Sequence, residues 1–248
     1  MTSSSGSESP ILFQSLETKL RSGFLHHFGI TNETQNSPIE FDFSRHDTRL
    51  DVEFYGIRVK PRTSRECCCA IFPTGTTELE IQKHLHIAQQ AFDVTPANVP
   101  SPIEWGRIAG DRLFILYRSQ MCQNVEASTN AIFEALQRLH NLSIAPRSHG
   151  YGTNPTEGQT WQEWFTDRIT VTLQDMSKID GLDVLPQIDV IINLTNSLLG
   201  SMDLNSAGPG LVHENLSLHN VRRKIYEDGE PFFLDTMYFY GPAECEYF

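Results

Sequence analysis

Strand-like and helix-like patterns are segregated along this chain, and that segregation constrains the fold more than any other feature. Polar and apolar residues alternate over 39–43, 52–60 is rich in β-branched and aromatic residues, and 67–72 is a short apolar run bounded by Pro73 and Gly75. Each reads as a strand. A helix is predicted at 12–28 from Leu16, Leu20 and Phe24, and another at 77–92 with Leu79, Leu85, Ala88 and Phe92 on one apolar side. The Pro-rich stretch 95–102 ends it, and 112–117 reads as a buried strand. Three helices follow, at 128–142, 161–176 and 188–199. In the first, Ile132, Leu136 and Leu139 align and Ser128 or Thr129 can cap. The pattern returns to strand at 211–212, and a charged turn at 226–230 separates 221–225 from 231–234 as a hairpin. Sheet first, helices second, then a hairpin carrying polar residues predicts an α+β protein of two lobes, without internal repeats.

Length and charge bound the partners. The 248 residues suit one large domain or two small lobes. A net charge of −12 argues against a nucleic-acid or anionic-membrane binder, because both reward clustered Lys and Arg. No run approaches the roughly 20 apolar residues of a membrane span. The first eleven residues read as a disordered tail without the basic start and apolar core of a signal peptide. Cys67, Cys68 and Cys69 are consecutive, so neighbouring side chains point to opposite strand faces, which suits neither a disulfide framework nor a zinc site. Together with Cys122 and Cys245 they read as reduced thiols of a cytoplasmic protein.

The segment most informative about chemistry is His213-Glu214-Asn215-Leu216-Ser217-Leu218-His219-Asn220, followed after the hairpin by Leu234-Asp235-Thr236. Phosphoryl transfer needs a carboxylate to receive the hydroxyl proton, and an Asn and an Asp to hold Mg²⁺, since positioning and charge neutralisation supply nearly all of the catalysis. The corresponding signature is His-x-Asp-x-x-x-x-Asn, with the metal-binding Asp after the next strand turn. His213, Asn220 and Asp235 stand where the pattern wants them, and position 215 is Asn instead of Asp. A zinc site of His213, Glu214 and His219 is disfavoured, because His residues six apart do not share a helical face.

Further segments carry a family resemblance. Asp235-Thr236-Met237-Tyr238-Phe239-Tyr240-Gly241-Pro242-Ala243-Glu244-Cys245-Glu246 resembles the Asp-x-x-x-Phe-Tyr-Gly-His-x-Glu-x-Glu segment of the fructosamine (ketosamine-3-) kinase family. His149-Gly150-Tyr151-Gly152, with Trp161, Trp164, Phe165 and Arg168, is similar to its Gly-Phe segment and Trp-rich helix. The resemblance runs from 149 to 246. It implies a protein-kinase-like, aminoglycoside-phosphotransferase-type fold, with an N-lobe at 12–118 and a helical C-lobe at 119–248. It also implies ATP and Mg²⁺ as cofactors, and transfer to a sugar hydroxyl of a free or protein-attached ketosamine. Carried over by position, 215 is the base and Asn220 and Asp235 are the metal ligands, with His213 beside the base. The amide of Asn215 can orient a hydroxyl but cannot take its proton. The reading therefore has two branches, a slowed kinase and a pseudokinase-like binding protein. The family continues into further helices after the position of Glu246, so the resemblance also implies a short helical lobe and a protein partner that covers it.

For the phosphate-binding Lys two alignments compete. Lys60 closes one predicted strand, with Glu78 or Glu80 on the following helix as partner. Alternatively, Cys69-Ala70-Ile71-Phe72 is that strand and Phe72 stands in place of Lys. We favour Lys60 with Glu80, and assign 113–117, Leu116 included, as the strand beside the adenine. No Gly-x-Gly-x-x-Gly loop precedes either strand.

Overall fold

The computed structural model describes residues 8–28, 40–48, 52–60, 66–120, 122–123, 128–140, 160–176, 185–200, 210–213, 220–224, 230–234 and 238–241. Two compact units divide the chain. One comprises 1–136 with 215–237, the other 137–214 with 238–248.

The first unit is built on a five-stranded antiparallel sheet, β1 (Glu40–Thr48), β2 (Glu53–Lys60), β3 (Glu66–Ile71), β4 (Ser101–Arg107) and β5 (Leu113–Ser119), ordered β1-β2-β3-β5-β4. Helix α1 (Glu8–Lys19) loosens into a π turn at Leu20–Phe24 and tightens to a 3₁₀ turn at Leu25–Phe28, where the sequence pattern predicts one helix over 12–28. Its Leu12, Leu16 and Leu20 form one cluster with Tyr55, Ile57, Val59, Cys67, Cys69, Ile71, Phe114 and Leu116. Helix α2 (Glu78–Val94) contributes Ile81 and Ala88, with Leu85 packed alongside, to a second cluster with Phe54, Cys68, Ala70, Phe72, Leu113, Ile115 and Tyr117.

The period of two along β3 explains the triple cysteine. Cys67 and Cys69 enter the α1-side cluster and Cys68 the α2-side cluster. A strand covered on both faces has no polar side, hence its continuous apolar run. Burial raises the Cys69 thiol pKa, with smaller contributions from Cys67 and Glu53. Iodoacetamide at pH 8 is therefore expected to spare Cys67, Cys68 and Cys69 in the native protein and to alkylate them in urea, while the half-buried Cys122 reacts natively. Peptide mass mapping reads this directly, and native labelling of the β3 thiols would refute the double-sided core.

The phase of α2 differs from the sequence expectation. Leu79 is 60% exposed and Ile81 is buried. Two residues apart on a helix are about 200° apart, so the two cannot share a face. A capping box sets the start: Glu80 N–H donates to Thr77 Oγ1 (3.3 Å) while Thr77 N–H donates to Glu80 Oε2 (2.7 Å). Strand β4 occupies part of the stretch read as a break. Pro102 is tolerated because β4 is an edge strand, and the register shifts between Pro102 and Glu104. Gly106 faces Phe114, and a Cβ there would lie 2.7 Å from the ring.

The same unit carries a three-stranded sheet, β6 (Cys122–Gln123), β8 (Val221–Lys224) and β9 (Pro231–Phe233), in the order β6-β8-β9. Val221 pairs with Phe233 and Arg223 with Pro231, so the expected hairpin is present. Helix α3 (Thr129–His140) buries Ala135, Leu136 and Leu139, and Ala131 N–H donates to Ser128 Oγ as the N-cap (3.3 Å).

The second unit contains α4 (Trp161–Met176), α5 (Leu185–Gly200) and the antiparallel pair β7 (Gly210–His213) and β10 (Tyr238–Gly241). Another capping box, Thr160 with Glu163, starts α4, and Thr166 Oγ1 donates to Asn196 Oδ1 (2.7 Å) between α4 and α5. Among the described residues no helix is long and apolar enough to cross a membrane.

Candidate active site

In the first unit, the hairpin β8–β9 sets the spacing of two predicted metal ligands. Asn220 directly precedes β8 and is 1% exposed. Leu234 directly follows β9, and its N–H donates to Asn220 O (2.7 Å). Asp235 is the next residue in the chain. It lies outside the described residues, as do Asn215 and the 149–152 segment. The two ends of the hairpin are thus closed onto one another beside Asn220. Asn220 offers an amide oxygen and Asp235 a carboxylate, the hard donors that Mg²⁺ prefers, and Mg²⁺ commonly takes one or two protein oxygens with the rest from phosphates and water. The donor set fits that ion without a dedicated cage. Among the described residues no group of three His, Cys, Asp or Glu side chains could hold a metal.

Lys60 and Glu80 each have another partner. Lys60 Nζ lies 3.6 Å from Asp42 Oδ2, with both side chains more than half exposed. The carboxylate of Glu80 accepts from the N–H (2.7 Å) and hydroxyl (2.8 Å) of Thr77, and these two bonds hold it below the usual carboxylate range. Phe72 continues β3, its N–H donating to Leu113 O (2.8 Å), and its ring lies 5.2 Å from that of His84 on α2. Leu116 is fully buried in the α1-side cluster, paired with Cys69 on β3 and Glu104 on β4. Arg112 joins this region: Nε donates to Phe72 O (2.9 Å) and Nη2 to Glu53 Oε1 (3.0 Å).

In the second unit His213 is 3% exposed, pairs with Tyr238 across β7 and β10, and meets that ring edge to face at 5.2 Å. The two aromatic motifs read separately in the sequence form one cluster. Trp161 stacks on Trp164 (4.8 Å), and Phe239 of β10 stacks on Trp164 (5.7 Å). Gly210 of β7 lies against the last residue of α3, which belongs to this second unit: a Cβ would stand 2.9 Å from His140 O.

Sequence reasoning missed Asn98. This fully buried residue lies in the loop between α2 and β4, and its Nδ2 donates to Glu230 Oε2 (3.1 Å) and to Pro231 O (2.9 Å). A lone Asn in a Pro-rich stretch reads as turn chemistry, and nothing local points to a partner more than 130 residues away.

The described geometry has solved counterparts. A candidate fructosamine-3-kinase from Haemophilus somnus 129PT aligns over 96% of this chain and 76% of its own, at 19% identity and a TM-score of 0.61. The aminoglycoside phosphotransferase APH(4)-Ia aligns over 94% and 75%, at 14% identity and a TM-score of 0.57. A variant of it in ternary complex with ADP and hygromycin B aligns over 94% and 74%, at 14% identity and a TM-score of 0.55. At these identities the likeness concerns the fold, which is the α+β protein-kinase-like one. No curated protein sequence matches the chain significantly. The family model for fructosamine kinase matches residues 78–247, more than half of the chain, including the hairpin, the aromatic cluster and the His213–Asn220 segment. The chain therefore belongs to the fructosamine kinase family, a family of kinase-type phosphotransferases.

Proposed function

We propose that this protein is an ATP- and Mg²⁺-dependent phosphotransferase acting on a ketosamine-type sugar hydroxyl, slowed by the amide at position 215. The observation that carries this is the closed hairpin, which brings Asn220 next to the residue preceding Asp235. Bound there, Mg²⁺ would neutralise phosphate charge. Asn220 and Asp235 would hold the ion. Lys60 would hold nucleotide phosphates, since its exposed pairing with Asp42 is cheap to break and Phe72 has no charge to offer. Glu80, expected from the sequence as its partner, starts the helix that follows the far end of β3, where Glu53 and not Lys60 of β2 stands, so that pairing is not part of the proposal. The strand containing Leu116 is assigned as the one beside the adenine.

In the transfer, the acceptor hydroxyl oxygen bonds to the γ-phosphorus while the bond to the bridging oxygen of ADP breaks. The hydroxyl proton must leave. Asn215 can align the hydroxyl by hydrogen bonding, with the proton passing to solvent, and His213, buried on β7, is assigned as the residue beside the base that the resemblance implies. The second reading, a binding protein that keeps the fold without transfer, is favoured by that same amide. The lobes at 12–118 and 119–248 and a cytoplasmic location, supported by a run of three consecutive cysteines that suits no disulfide framework, belong to both readings. So does a covering protein partner, supported by Val190, Leu194 and Leu198, exposed along one face of α5.

A thermal shift with Mg²⁺ and ATP tests the shared step. At ATP about 100 times its Kd the folded state gains about 2.7 kcal/mol. For a protein of this size that is a rise of roughly 5–10 °C. Asp235→Ala should abolish most of it. An unshifted wild type would overturn the phosphotransferase and the nucleotide-binding form of the second reading.

A further inference from the structure

We infer that Asn98 is a positioning residue for the metal-binding segment, holding the strand that leads into Asp235 in register. This rests on the assignment of Asn220 and Asp235 above. Three bonds of Asn98 fall on the second strand of the hairpin and the residue just before it. Asn98 Nδ2 donates to Glu230 Oε2 (3.1 Å) and Pro231 O (2.9 Å), and Asn98 O accepts from Phe233 N–H (2.8 Å). The loop is itself closed by Asn98 N–H on Thr95 O (2.8 Å). From Phe233 the chain passes to Leu234, whose N–H is bonded to Asn220 O, and then to Asp235.

Strand β8 is held on its other side by β6, whereas β9 is the edge strand of that small sheet. Pairing between β8 and β9 covers only three residue pairs, and ribbons this short are marginal without outside support. The outside support is Asn98, which is completely buried, so that losing its partners would leave polar groups unpaired in the interior. The residue type is specific. Both amide hydrogens are spent, one on a carboxylate and one on a carbonyl, and Asp at this position would set two carboxylates against each other.

The test uses the full chain, with amide exchange at Phe233 and Leu234 as one readout. The other is the Mg²⁺ concentration for half of the ATP-induced thermal shift. Outer residues that orient a metal ligand typically govern 10–100-fold in metal affinity, so Asn98→Ala is expected to raise that concentration by about tenfold or more. It should also accelerate exchange at both amides. Asn98→Asp should act in the same direction. Combining Asn98→Asp with Glu230→Gln should restore both readouts in part, because the amide introduced at position 230 can donate to the carboxylate introduced at position 98, while Pro231 O still lacks its donor. If Asn98→Ala does not fold, the Asn98→Asp and double variants decide. Unchanged exchange overturns the anchor. Faster exchange with an unchanged Mg²⁺ midpoint overturns the positioning role. Absence of any ATP shift in the wild type overturns the nucleotide reading and the role together, while the exchange result still shows whether the anchor exists.

Discussion

Replacing Asn215 by Asp is expected to raise the rate of phosphate transfer from ATP to a ketosamine by about 10²–10⁴-fold, the usual contribution of a positioned general base. The two side chains have nearly the same shape, so the change adds proton-accepting capacity with little repacking. Positioning by Asn220 and Asp235 is untouched by the substitution, so both proteins should require Mg²⁺ and differ chiefly in kcat. Phosphate transfer with a radiolabelled γ-phosphate and a glycated peptide acceptor reads the difference. Transfer by Asn215→Asp alone would establish a disabled kinase, and faster transfer over a measurable wild-type rate a slowed one. Equal rates in the two proteins would remove position 215 from the chemistry.

The largest stability effect is expected at Phe114. This residue is 0% exposed on β5, opposite Ile71 of β3 and Gly106 of β4, within the cluster beneath α1. Phe114→Ala removes the ring that Gly106 has no side chain to replace, and should cost about 3–5 kcal/mol through lost burial and the cavity left behind. At this size that corresponds to a fall in Tm of roughly 6–20 °C. Phe133→Ala on α3, where the ring is 43% exposed, is the control and should cost less than about 1 kcal/mol. Equal losses at the two positions would contradict the burial that defines this core.

Elements with a complete local signal are legible without the structure. The α4 helix has its capping box, its period and its bounds written in residues 160–176, and the β8–β9 hairpin has two apolar stretches around a charged turn. The phase of α2 is not legible in this way. Leu79 and Ile81 are both strongly apolar, and only the sheet beneath chooses between them. The strand β4 is hidden by its proline, which is acceptable at an edge, and edge position is a property of the sheet and not of the strand. The candidate site divides in the same way. His213, Asn215 and Asn220 are singled out in the sequence because their residue types recur within eight residues of chain, with Asp235 just after the next hairpin. The tie between Asn98 and Glu230 cannot, because it joins residues with no periodicity between them.

By itself, then, the sequence determined the α+β class, the family, the residue types of the candidate site, and the amide at 215 where a base is expected. These depend on local periodicity and on side-chain chemistry, both of which are written in neighbouring residues. Tertiary structure alone decided which faces of β3 and α2 are buried, that Lys60 rests on Asp42 and Glu80 on Thr77, and that a buried Asn in a distant loop holds the strand before Asp235. Those choices are made by competition among contacts between remote segments, and a donor such as Asn98 acquires its partner only when folding removes water from both.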